Sequence, residues 1–175
     1  MAIVFELVAD FGADADAARN AVGTVAAQEP ILAGSRRIPL HPVHLRTDAS
    51  ARVELSVVPV GVGSGVVMDA GRSCPKPTAA EFTALGHGLY GLLRGLRGYR
   101  AAAVGWDVES CADVEELRAE RAADPQGWAV DGLVLADPVL ADLGGDGRFV
   151  PFAAGYSWLP WEGVPPSPLT GDPGC

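Results

Sequence analysis

The residues best suited to chemistry are few. Gly61-Val62-Gly63-Ser64-Gly65 follows a strand-like run, and a glycine-rich turn there could bring backbone N–H groups onto a phosphate. His41-Pro42-Val43-His44 is the only closely spaced histidine pair. In an extended segment residues three apart point to opposite faces, and Pro42 prevents the helical turn that would bring them together, so the pair does not read as a metal site. His87 and Arg94, with Thr83, Tyr90 and Arg97, fall on a helical face where they could hold an anion. Cys74 is separated from the next helix by Pro75 and Pro77, and Cys111 has acidic neighbours that oppose thiolate formation, so neither reads as a nucleophile. Gly144-Gly145-Asp146-Gly147 lacks the repeated oxygen ligands and closing glutamate of a calcium loop and reads as a turn.

The wider stretch from Val58 to Gly65 resembles the pyrophosphate loop of N-acetyltransferases. That resemblance requires a helix immediately after the glycines, whereas Val66 to Gly71 looks extended and turning. The spacing G-x-G-x-x-G is also absent. A cleft using Gly61, Gly63 and Gly65 with His87 and Arg94 is therefore kept as the small-molecule or enzymatic alternative, and no cofactor is expected.

Charge is the more informative signal. The formal net charge is −9, and eleven acidic residues between Asp107 and Asp146 face only Arg118 and Arg121. Elsewhere the charges cancel. Such a balance repels nucleic acid and anionic membranes and admits a basic protein. Asp107, Glu109, Asp113, Glu115, Glu116 and Glu120 are the expected partner-binding residues, with Trp106, Trp158 and Trp161 as aromatic anchors if exposed. If buried, Trp158 and Trp161 would pin the tail to the body. The functional expectation is a small protein-binding domain in the manner of an immunity protein or antitoxin-like inhibitor of a basic partner. No pattern identifies a reaction.

The elements that must position these residues can be read in order. Residues 2–11 form a strand interrupted by Glu6 and Asp10, with the far end expected to meet solvent. An Ala-rich helix runs from Asp14 towards Pro30, and Pro39 and Pro42 confine residues 37–46 to an edge strand or extended arm. Residues 52–58 alternate as a half-buried strand, with 66–68 expected to continue or pair with it. Thr78 and Glu81 have capping-box spacing before a leucine stripe from Phe82 to Leu96. The glycines at 86, 88, 91 and 95 weaken that helix, which suggests that some of them are kept for close packing against the sheet or a homodimer contact. Residues 100–106 are a strand, Asp113 and Glu116 open another helix, and residues 132–136 form a strand stopped by Asp137-Pro138.

This β-α-β-β-α-β-α-β order predicts an α+β fold: a mostly antiparallel sheet with helices on one face, ferredoxin-like or a related two-layer sandwich. Residues 1–160 read as one domain and 161–175 as a Pro/Gly-rich tail, mobile or hugging the surface. The start reads as a strand, neither a signal peptide nor a membrane span. Three cysteines without metal spacing suit a reducing cytoplasm. Arginine outnumbers lysine twelve to one, the bias of a GC-rich, bacterial genome.

Overall fold

The computed structural model describes residues 3–63, 76–124, 131–145 and 147–172. Nine strands and four helices are assigned among them. In chain order they are β1 (Phe5–Asp10), α1 (Ala15–Ala26), β2 (Ile31–Ala33), β3 (Arg36–Ile38), β4 (His44–Thr47), β5 (Val53–Val57), α2 (Ala79–Leu93), β6 (Ala101–Trp106), α3 (Val114–Ala123), β7 (Val134–Ala136), α4 (Asp137–Asp142), β8 (Val150–Ala153) and β9 (Tyr156–Trp158). The fold is α+β. Seven strands make one antiparallel sheet in the order β4-β5-β1-β6-β7-β9-β8, while β2 and β3 form a separate hairpin. The expected pairing partner of β5 at residues 66–68 lies outside the described residues; β5 pairs instead with β1 and β4.

Strand alternation divides the sheet into two unlike faces. Phe5, Leu7 and Ala9 of β1, Leu55 and Val57 of β5, and Ala102 and Val104 of β6 enter the main core with α1 and α2. This sheet and the two long helices make the two-layer sandwich. On the other face Val8 and Ala103 meet Val108 and Ala112, and Ala101 and Leu135 meet Val114 and Leu117 of α3. A 3-10 turn over Ser110–Ala112 leads into α3, and Leu143, just past α4, closes the same cluster. The helical cover thus extends to part of the second face, beyond the single helical layer expected.

The helix ends follow local chemistry. Thr78 and Glu81 form a reciprocal capping box at α2, with the Glu81 amide donating to Thr78 Oγ1 at 3.2 Å and the Thr78 amide donating to Glu81 Oε2 at 2.8 Å. Asp113 caps α3 by accepting from the Glu115 and Glu116 amides, without the return bond from Glu116. Asp137 and Pro138 stop β7 as expected and also start α4, because proline suits the first turn of a helix.

The tail hugs the body. The Val164 amide donates to Thr83 Oγ1 at 3.0 Å, Asp172 accepts from the Ala79 amide at 2.8 Å, and the Gly171 amide donates to the Pro77 carbonyl at 2.8 Å. Trp161 lies over α2 where Gly86 leaves room: a Cβ there would stand 2.1 Å from the indole. At Gly88 a Cβ would meet Ile31 Cγ2 at 2.3 Å. Contacts within the chain therefore account for both glycines.

Thr78→Ala is expected to cost about 1 kcal/mol by removing the α2 cap. Gly86→Ala should cost ~1–3 kcal/mol by displacing the Trp161 ring. Urea melts followed by tryptophan fluorescence read both, and only the glycine variant should change the native spectrum.

Candidate functional site

The polar side chains converge on the sheet face away from α1 and α2, beside the β4 edge. Glu6 and Asp10 of β1, Glu54 and Ser56 of β5, and His44 and Arg46 of β4 all sit at positions that alternate onto this face. The register places His44 opposite Ser56 and Arg46 opposite Glu54, with Glu54 in turn opposite Asp10. Asp10 is fully buried, and Glu54 and Glu6 are nearly so, at 3% and 5% exposure. The expectation that β1 ends in solvent at Asp10 is therefore corrected: the turn after β1 folds back over it, and two arginines cover its carboxylate.

Those arginines make a continuous ionic seam. Arg100 donates to Asp10 Oδ2 at 2.7 Å from Nη2 and 3.2 Å from Nε, and the Gly12 amide donates to Asp10 Oδ1 at 2.7 Å. Arg52 Nε lies 3.3 Å from Asp10 Oδ1, while its two terminal nitrogens stand 3.0 Å from Glu54 and 3.0 Å from Asp113. Arg46 reaches Glu54 at 3.0 Å and Glu109 at 3.5 Å. Arg100 also reaches Glu115 at 3.6 Å, and Glu115 pairs with Arg118. A buried carboxylate is tolerable only when paired and hydrogen-bonded, a condition Asp10 meets.

Between β4 and Glu109 this face opens into a cleft of about 350 Å³. Glu6 forms part of its wall. Ser56 Oγ donates to Glu6 Oε2. Burial is the main reason that the Glu6 carboxyl is pushed up to about 7; the Ser56 hydrogen bond opposes the shift, while the negative charges of Glu109, Glu54 and Asp107 add to it. No group of three or more ligating side chains that could hold a metal ion occurs among the described residues.

The expected partner-binding residues separate into two regions. Asp107 adopts φ +49, which aspartate tolerates, and ties the end of the central β1–β6 pair by accepting from the Val4 amide at 2.9 Å. Glu109, Asp113 and Glu115 are engaged by Arg46, Arg52 and Arg100, three arginines from outside the acidic stretch. Glu116 and Glu120 are exposed on α3 and form no salt bridge among the described residues. Trp106, Trp158 and Trp161 lie with the main core, on the opposite side of the sheet from α3. Trp106 packs on Phe5 and Phe82, Trp158 on Tyr90 and Phe152, and Trp161 on Tyr90 and His87.

The alternative residues take up separate local contacts among those described. Gly65 lies outside them. His87 is exposed and meets the edge of Trp161. Arg94 lies 4.7 Å above the Phe152 ring, Tyr90 is buried with its hydroxyl donating to the Gly132 carbonyl, and Thr83 holds the tail. Gly61 has φ +73 in the turn after the Leu40–Pro59 bridge. His41 lines an apolar cleft of about 500 Å³ between α1 and residues 39–43, whereas His44 lines the polar cleft, so the histidine pair faces two different places.

No protein-family model matches the chain, and neither the curated proteins nor the solved structures contain a match to it. No helix among the described residues is long and apolar enough to cross a membrane.

The sequence reading missed Glu6, Asp10, Glu54, Arg52 and Arg100. The available signal was the placement of charged residues at alternate positions inside two otherwise apolar strands. The raised Glu6 pKa has a defined consequence. Protonation is favoured in the folded chain, so stability contributed by this group is full below about 4.5 and falls as the pH rises through about 7. Glu6→Gln is expected to be neutral near pH 4 and to stabilise by roughly 2 kcal/mol at pH 8. Urea melts at the two pH values measure the difference.

Proposed function

We propose that this chain is a protein-binding domain that meets a basic partner through the outer surface of α3, as an immunity-protein or antitoxin-like inhibitor would. The observation that carries this reading is the doublet Glu116 and Glu120. They stand one helical turn apart, both exposed, and neither forms a salt bridge among the described residues. Like charges at i,i+4 cost a few tenths of a kcal/mol, and the fold gains no ion pair from them. A basic surface would recover that cost and be steered towards it.

Arg118 divides this surface. It is held by Glu115 within α3 and by Asp142 of α4 at 2.8 Å, so one ion pair joins the two helices. The carboxylates available to a partner are therefore narrower than the acidic stretch as a whole. Glu115 is a poor probe of binding because its removal would also release Arg100 and Arg118.

The test is Glu116→Gln combined with Glu120→Gln. Affinity capture with the wild-type chain from its source cells should retain a basic protein at low salt. That protein should bind the double variant ~3–10-fold more weakly in a purified titration, with a shallower salt dependence. Equal affinity and equal salt dependence for every captured protein would remove α3 as the docking surface.

A further inference from the structure

The outer edge of β4 carries a second inference, one that does not depend on any partner at α3. β4 stands at one end of the seven-stranded sheet, and all four of its residues are exposed. The bond from the Asp48 amide to the Arg52 carbonyl, 3.1 Å, sets the phase of the β4–β5 ladder. Hydrogen-bonded pairs alternate along an antiparallel ladder, so His44 and Arg46 bond to Ser56 and Glu54, and the backbone N–H and C=O groups of Leu45 and Thr47 point away from β5. Val53 agrees with this phase. Its amide donates to the Gly12 carbonyl and its carbonyl accepts from the Phe11 amide, so its backbone is turned from Thr47 towards β1. Among the described residues no strand pairs with the outer edge of β4.

The two ends of the sheet are treated differently. At the far end Pro151 of β8 lacks a donor and the register shifts between Pro151 and Ala153, two devices that blunt a sheet edge. β4 has neither. Its register runs unbroken from His44 to Thr47, and its arginine is drawn back onto the sheet by Glu54 at 3.0 Å and Glu109 at 3.5 Å instead of guarding the edge. Leu45 is 40% exposed on the face it shares with Leu55, which adds apolar surface to the open backbone groups.

A second copy of the chain fits this edge poorly. Two-fold pairing through Leu45 and Thr47 of both copies would set Arg46 directly opposite its own counterpart, and like charges so placed destabilise a strand pair. Four residues are also a small contact beside the roughly 1,200 Å² that stable protein interfaces bury. An extended peptide meets neither obstacle. We propose that β4 accepts an antiparallel strand from another polypeptide, with β-branched apolar residues opposite Leu45 and Thr47 and an uncharged residue opposite Arg46, whose charge two carboxylates already meet. The backbone of Leu45 and of Thr47 each donates one hydrogen bond to the peptide and accepts one from it, and an apolar side chain covers Leu45.

An NMR titration of the full chain with the peptide acetyl-Thr-Val-Thr-Val-Thr-amide tests the assignment. In the free chain the Leu45 and Thr47 amides should exchange with solvent faster than those of His44 and Arg46; with peptide both should shift saturably and gain protection. N-methylation of the two valine amides, which face β4 when the valines lie opposite Leu45 and Thr47, should weaken binding at least ~10-fold. N-methylation of the threonine amides, which face outwards, should leave the affinity within ~2-fold. Thr47→Pro removes an N–H that the fold does not use and should weaken binding ~5-fold or more with an unchanged circular dichroism spectrum. Slow exchange of both amides in the free chain, no saturable shift, equal effects of the two methylations, or full affinity in folded Thr47→Pro would overturn the assignment. So would shifts at Leu45 and Thr47 that grow with chain concentration alone, because a second copy would then hold the edge. If Thr47→Pro is unfolded, the two methylated peptides decide the matter by themselves.

Discussion

The carboxylate of Asp10 is the constraint around which the second face of this molecule is arranged. It has no exposure to solvent, and taking an isolated carboxylate out of water would cost several kcal/mol. The chain meets that cost from three directions: Arg100 at the start of β6, Arg52 at the entry to β5, and the Gly12 amide in the turn after β1. Each partner belongs to a different element, so the ion cluster fixes their relative positions as well as satisfying the charge.

From Asp10 the same arginines reach outwards. Arg52 continues to Asp113 and Arg100 to Glu115, while Arg46 joins Glu54 to Glu109. Three carboxylates of the segment between β6 and the first turn of α3 are thus attached to the sheet. The apolar contacts beneath them are modest: Val8, Ala103, Val108 and Ala112 form one small cluster, and Val114 and Leu117 enter another. The main core has Phe5, Phe82, Leu85 and Leu89, with Trp106, Trp158 and Trp161 packed against it. One face is held chiefly by apolar burial, and the other combines thin burial with directed charge pairs. A negative stretch read along the chain is, in space, partly neutralised.

This contrast explains what the sequence could reveal. The α2 start was legible because a capping box is local, with Thr78 and Glu81 three residues apart and their partners equally near. The strands at 53–57 and 101–106 were legible from β-branched residues, alternation and the preceding helix stop. The seam was not, because alternation tells which residues share a face and not what covers it. Asp10 looked like a strand end meeting water, and the arginine that buries it lies 90 residues away. Of the four glycines read as signals of close packing, Gly86 and Gly88 are closely packed, with Trp161 and Ile31 as neighbours that only coordinates reveal, whereas Gly91 has nothing within 4 Å of an added Cβ. Trp106, Trp158 and Trp161 fall on the opposite side of the sheet from the acidic residues of α3.

Hydrogen exchange on the wild type and on Arg52→Met tests the seam most directly. If the ionic cluster holds α3 on the sheet, the variant should lose protection selectively across residues 108–120, while the amides of α2 and of the β1–β5 ladder on its main-core side keep most of theirs. Unchanged exchange in α3, or a uniform loss across both layers, would contradict the account.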